Sequence, residues 1–145
     1  MSARDDKMSQ FISAMFSLNR AIKSESEHCC KICGEINEKE LMILAFVGEN
    51  KSVKMSEIAD YLKAPLCTLT SIADKLVANK FLVRHNSDED RRVVKVALAE
   101  KGLESYKAFL TRKKAMTKKV LSHFSEKEHN TLIGHISKLA AAIVS

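Results

Sequence analysis

The sequence predicts a mainly α fold, a winged helix-turn-helix, with a three-helix core, a β-hairpin wing and further helices at both ends. Residues 81–83 (Phe-Leu-Val) and 93–98 (Val-Val-Lys-Val-Ala-Leu) are short β-branched and apolar runs. They flank the polar stretch 84–92, so the segment reads as a hairpin with a long charged loop. The one proline, Pro65, separates two stretches of helical periodicity. Only four glycines occur in 145 residues, which suits helices joined by short connections.

Met8, Phe11, Ile12, Met15, Leu18 and Ile22 recur at helical spacing and predict an amphipathic helix over 5–24. Segment 25–37 breaks that pattern and holds three of the four cysteines. Leu41, Ile43, Leu44, Phe46 and Val47 predict a second helix over 38–48, apolar on most sides as a central buried helix would be. Gly48 reads as its stop. A short strand is expected at 53–55, and Ser56 is expected to open a third helix with Ile58, Ala59 and Leu62 inward. Residues 63–65 form a turn, because Pro65 drives Ala64 out of the helical region yet fits the first turn of a new helix. That fourth helix is expected over 66–79. Leu69, Ile72, Ala73 and Leu76 face inward, and Thr68, Thr70, Ser71, Asp74 and Lys75 mainly outward. After the hairpin, Leu103, Tyr106, Leu110, Thr117, Val120, Leu121 and Phe124 mark a long fifth helix. Ser125-Glu126-Lys127-Glu128 has the capping-box pattern and opens a sixth, with Leu132, Ile133, Ile136, Leu139, Ala140 and Ile143 on one face.

The length fits one domain, and 46% hydrophobic residues can bury a core without disulfides. The formal charge of +6 is compatible with nucleic acid. It is unevenly spread: residues 101–119 hold seven Lys or Arg against one Glu. No apolar run approaches a membrane span, and the N-terminal ten residues lack the apolar core of a secretory signal, so a cytoplasmic protein without membrane contact is expected. There is no Gly-rich phosphate loop, no His-Glu-x-x-His pair and no Gly-x-Ser-x-Gly elbow, which argues against an enzyme. Residues 38–100 already supply three helices and a hairpin, enough for a complete winged helix-turn-helix lobe. The flanking segments 1–37 and 101–145 carry extra apolar faces that so small a core cannot cover. Packed against a second copy, each buried Leu or Ile would contribute roughly 1.5–3 kcal/mol, so these segments are expected to form a homodimer.

The order of helices, turn, wing and terminal helices resembles the MarR family of bacterial transcriptional regulators. Residues 55–62 (Met-Ser-Glu-Ile-Ala-Asp-Tyr-Leu) are similar to the family's first helix-turn-helix segment, and 68–76 (Thr-Leu-Thr-Ser-Ile-Ala-Asp-Lys-Leu) to its recognition helix. Asp90-Arg91-Arg92, followed by 96–102 (Val-Ala-Leu-Ala-Glu-Lys-Gly), is similar to its wing and the entry to the next helix. Lys80 stands where the family usually has a helix-ending Gly, and Ala99 where it usually has Thr. The resemblance covers nearly the whole chain. It implies a homodimer on a pseudo-palindromic stretch of double-stranded DNA, usually a repressor, released by a small-molecule or redox signal.

Thr68, Thr70, Ser71 and Lys75 are then the residues expected in the major groove. None is an Arg, Asn or Gln that reads G or A bidentately, so phosphate contacts and DNA shape are expected to supply much of the affinity. Arg92 is the expected minor-groove side chain, and the resemblance implies that Asp90 braces it. Arg91, Arg84 and His85 are candidates for phosphate. His28, Cys29, Cys30 and Cys33 pack four soft ligands into six residues, and Cys30-x-x-Cys33 has the spacing of half a zinc site. The other half is absent as a motif and would need His123, His129 or a second chain. Zinc binding, thiol redox sensing and ordinary thiols all remain open, and no other cofactor is expected. Cys67 begins the recognition helix, a position that activates thiols, and its oxidation or alkylation is expected to disturb DNA binding. The competing reading is a winged-helix module that binds protein without sequence-specific DNA binding.

Overall fold

The computed structural model describes residues 2–145; Met1 lies outside them. The elements are α1 (Ala3–Ile32), α2 (Glu38–Asn50), β1 (Ser52–Lys54), α3 (Met55–Leu62), α4 (Leu66–Ala78), β2 (Leu82–Asn86), β3 (Val94–Leu98), α5 (Glu100–Leu121) and α6 (Glu126–Val144). The strands form one antiparallel sheet in the order β1-β3-β2, with Val53 opposite Val96 and Arg84 opposite Val96 on its other side. The predicted winged helix-turn-helix is therefore present, with β1 as a third strand beside the hairpin. The chain divides into two compact units, one ending at Phe109 and one spanning Leu110–Ser145, with α5 running through the division.

The first unit is built round Ile43, Leu44 and Val47 of α2, Ile58 of α3, and Leu69, Ala73 and Leu76 of α4. Val53, Phe81, Leu82 and Val96 close it from the sheet side. Cys29, Cys30, Cys33 and Ile36 belong to the same core, so the lobe draws on residues before Glu38. This corrects the expected break after Ser24: α1 continues to Ile32. No Gly or Pro interrupts it, and the cysteines act as small apolar residues that extend the buried face. The helix ends where Gly34 (φ 123°) and Glu35 (φ 56°) turn the chain.

Gly48 is not the stop of α2 but lies inside it. A Cβ there would sit 2.6 Å from the ring of Tyr106, so this glycine makes room for the aromatic of α5, and the turn comes at Lys51 (φ 68°). α3 begins one residue before the expected Ser56, and the Glu57 carboxylate accepts the Lys54 backbone N–H at 3.1 Å.

The end of α4 is a left-handed turn of two bonds. Lys80 N–H donates to Val77 at 3.1 Å, and Phe81 N–H to Leu76 at 2.8 Å, with both Phe81 and Leu76 buried. Lys80 holds φ 67°, a conformation that glycine adopts freely and a lysine does not. Lys80→Gly is expected to raise stability by about 0.5–1 kcal/mol, the relief of strain outweighing the extra freedom of the unfolded chain. A urea midpoint shifted upward at unchanged m-value would show it; a lower midpoint would contradict it.

In the second unit α5 stops at Leu121, so Phe124 lies in the connection rather than in the helix. His129 Nε2–H donates to the carbonyls of Leu121 (2.8 Å) and Phe124 (3.1 Å) and satisfies the end of α5. α6 opens with the predicted capping box: Ser125 Oγ accepts the Glu128 N–H, and the Glu128 carboxylate accepts the Ser125 N–H. The Ser125 backbone N–H, then the Ser125 hydroxyl, hold the Glu128 carboxyl below its ordinary range. No residue of α6 is buried, and Ile133, Ile136 and Ile143 are exposed. In the first unit, Met8, Phe11, Ile12, Phe16, Leu18 and Ile22 of α1 are exposed as well.

Candidate nucleic-acid interface

α3 and α4 meet across the turn at Lys63, which holds the left-handed conformation (φ 53°), and Pro65 (φ −60°) sets the entry to α4. Leu69, Ala73 and Leu76 anchor α4 in the core. That pinning turns Thr68, Thr70, Ser71, Asp74 and Lys75 outward, and all five are exposed, as is Cys67. The Thr70 hydroxyl donates to the Leu66 carbonyl (2.8 Å) and the Ser71 hydroxyl to the Cys67 carbonyl (3.3 Å). Both protons are thus committed to the helix, and both oxygens still have acceptor capacity. Lys75 Nζ lies 4.0 Å from the carboxylate of Glu40, a buried residue of α2.

The wing loop is shorter than the sequence suggested, because β2 runs on to Asn86. Arg84 and His85, expected in the loop, are strand residues with partners. Arg84 pairs with Asp74 of α4, and His85 Nε2 shares a 2.8 Å hydrogen bond with Ser52 Oγ of β1. Polar side chains on an apolar-poor strand carried no signal of this extension; only cross-strand pairing fixes it.

The tip is closed by backbone bonds from Ser87 N–H to Val93 (2.8 Å) and from Val93 N–H to Asp90 (2.9 Å). Asn86 Nδ2 donates to the Arg91 carbonyl. Ser87 is buried, and its hydroxyl accepts the Glu89 N–H at 3.3 Å. The Asp90 carboxylate accepts three bonds from Arg92: the backbone N–H (3.0 Å), Nε (3.2 Å) and a terminal guanidinium nitrogen (3.3 Å). The expected brace between Asp90 and Arg92 is present. Bonds from the guanidinium, then from the backbone N–H, hold the Asp90 carboxyl below its usual range, so it is charged at neutral pH. The Arg92 side chain is 91% exposed, and Arg91, Asp88 and Glu89 are exposed too.

Cys29, Cys30 and Cys33 lie in the core, while His28 is exposed. The close pair is not Cys30 and Cys33 but Cys29 and Cys33, whose sulfurs are 3.8 Å apart, one helical turn on the same face. Burial, then the neighbouring Cys29 and the carboxylates of Glu38, Glu40 and Glu27, push the Cys30 thiol up. Among the described residues no three His, Cys, Asp or Glu side chains converge on a point that could hold a metal ion. No described helix is long and apolar enough to cross a membrane.

Residues 36–94, the stretch from the α2 approach through the wing, match the model of the MarR family. The HTH-type transcriptional repressor MdtR of Bacillus subtilis is 28% identical over 142 residues, covering 98% of this chain and 91% of that protein. An uncharacterized HTH-type transcriptional regulator of the same organism, YpoP, is 30% identical over 105 residues, covering 72% of this chain and 74% of its own. The crystal structure of Streptococcus pneumoniae FabT in complex with DNA superposes with a TM-score of 0.79 over 95% of this chain and 96% of that one, at 23% identity. The chain belongs to the MarR family of transcriptional regulators and is not an enzyme.

Proposed function

We propose that this regulator is a homodimeric repressor of a pseudo-palindromic operator. One α4 from each chain enters the major groove through Thr68, Thr70, Ser71 and Lys75. Arg92 of each wing enters the flanking minor groove, and Arg91 contacts phosphate. The observation that carries this reading is the wing tip: an exposed arginine already oriented by Asp90, on a hairpin packed beside the exposed polar face of α4. The repressor named among the relatives and the DNA complex among the structural neighbours support it. The hydroxyls of α4 discriminate weakly between bases, so shape and phosphate contacts supply most of the affinity.

The dimer follows from the apolar stripes of α1 and α6. Seven large apolar side chains of α1 and three isoleucines of α6 stay exposed, and burying them against a second copy removes that surface from water. A small-molecule or redox signal would release the DNA. A thiol signal would enter at exposed Cys67, since the other three cysteines are core residues and burial keeps Cys30 protonated and unreactive. Zinc held by His28, Cys29, Cys30 and Cys33 finds no support in their arrangement.

The test is a gel shift on the DNA upstream of its own gene, titrated with salt and repeated with oxidant, zinc and chelator. A binder neutralising six to ten phosphates loses roughly 10³–10⁵ in affinity between 50 and 200 mM salt. Oxidant is expected to release the wild type but not Cys67→Ser; equal release of both removes Cys67 from the signal. A monomer in sedimentation, or no retention of duplex in dilute salt, overturns the reading and favours a protein-binding module.

A further inference from the structure

We propose that Cys29 and Cys33 form a two-thiolate site for a soft divalent cation, with mercuric ion as its chemical type, and that filling the site strains the seat of the recognition helix. The two sulfurs are 3.8 Å apart, one turn apart on one face of α1, and both residues are buried. Two donors are too few for zinc, which takes four ligands in a structural site. They suit an ion that holds two thiolates in line. Thiolates select soft metals, and the side chains packed round this pair are the apolar ones of the core. Charge decides the valence. Two S–H bonds break, two metal–sulfur bonds form and two protons leave to solvent, with nothing oxidised or reduced. A divalent ion leaves the pair neutral, whereas a monovalent one leaves a net negative charge in the core, which burial penalises.

An entrance lies on the same turn. Cys30 lines a cavity of about 550 Å³ at the end of α1, with Glu27, Glu35 and Glu38 set against Lys23 and Lys31. The acidic excess attracts cations, and the Cys30 sulfur hands an ion inward by ligand exchange. The consequence is mechanical. With metal–sulfur bonds of roughly 2.3 Å in line, the two sulfurs open to about 4.6 Å. Cys29 is fixed within α1, whereas Cys33 is its cap, so Cys33 yields. The Cys33 carbonyl accepts the hydroxyl of Ser105, a buried residue of α5. Gly34, the next residue, sits so close to that hydroxyl and to the Phe81 ring that a Cβ would lie 3.4 and 3.5 Å from them. Phe81 N–H in turn donates to Leu76 near the end of α4. Displacing Cys33 therefore reaches the helix that carries Thr70, Ser71 and Lys75. This last effect rests on the DNA-binding reading above; the site itself does not.

The reference protein is the full chain carrying Cys67→Ser, which removes the exposed thiol. It is reduced, given one equivalent of mercuric chloride, washed with excess glutathione and desalted. One mercury per chain is expected to stay, with two sulfur neighbours by X-ray absorption. Adding Cys29→Ala or Cys33→Ala releases it, and adding Cys30→Ser keeps it but slows loading several-fold. Zinc and silver are washed out. Loss of mercury from the reference protein, three or more sulfur neighbours, or zinc or silver held as firmly as mercury overturns the site. So does mercury retained by a folded Cys29→Ala or Cys33→Ala protein. The absorption measurement needs no core variant, so it decides even where an alanine unfolds the chain. Unchanged loading in Cys30→Ser overturns the entrance. Operator affinity is then read by fluorescence anisotropy on the duplex upstream of its own gene. One equivalent of mercury lowers it about tenfold in the reference protein, an ordinary coupling between two sites, and much less in Ser105→Ala, which still holds the ion. Unchanged affinity overturns the coupling, and an equal loss in Ser105→Ala overturns the route through α5. A chain that holds mercury but no duplex in dilute salt overturns the DNA-binding reading, and the coupling with it, and leaves the site standing.

Discussion

Arg92→Ala is expected to weaken operator binding roughly tenfold to a hundredfold while leaving the thermal midpoint and the oligomeric state unchanged. The side chain is 91% exposed and is bonded to Asp90 at the surface, so its removal opens no cavity. Two losses add up on the DNA side. On the proposed reading the guanidinium would no longer enter the minor groove, and Asp90 would be left as an uncompensated anion at the tip. Arg91→Ala removes a cation without releasing an acid and costs less. The brace does not depend on mild changes of pH. A carboxyl whose folded pKa is depressed stays charged above its ordinary range, and its contribution is lost only as pH falls through the lowered value. Fluorescence anisotropy on a labelled duplex checks the prediction; a change under twofold would remove Arg92 from the interface.

The largest loss of stability is expected at Gly102, in the first turn of α5. A Cβ on Gly102 would lie 2.0 Å from the carbonyl oxygen of Phe81 and 3.3 Å from a methyl of Leu98. The obstacle is backbone, so no side chain can turn away. That carbonyl also accepts the Ala99 N–H at 3.0 Å, and Phe81 is a buried residue of the turn that ends α4. Moving α5 outward to admit a methyl would pull on this junction and on the core beneath Phe81. Gly102→Ala is expected to cost about 3 kcal/mol, at the upper end of overpacking effects and a large share of a domain's 5–15 kcal/mol. Urea denaturation measures it. A loss under about 1 kcal/mol would mean that α5 shifts freely against the end of α4.

Much of this geometry could be read in advance. The i, i+3, i+4 apolar residues of α4, the proline ahead of it and the Ser125–Glu128 box are local signals, set by neighbours within one turn. The Asp90-Arg92 brace is local as well, two residues apart on one turn. The misreadings have a common origin. The sequence left cysteines 29, 30 and 33 open between zinc binding, redox chemistry and ordinary thiols; their surroundings place them in the core, and α1 runs eight residues beyond Ser24 to Ile32. Gly48 looked like a helix stop, yet what requires it is a ring fifty-eight positions later, that of Tyr106. Arg84 looked like a loop cation, yet its partner lies on another element.

The sequence by itself determined the order of the helices, the Ser125–Glu128 cap, the hairpin and the arginines at its tip, because these depend on periodicity and on bonds between near neighbours. Only the tertiary structure decided which cysteines are buried, which glycines are wedged against another element and which arginine has an acidic partner on another element. Those outcomes depend on which distant residues come together, and a single linear pattern of residue types leaves that pairing open.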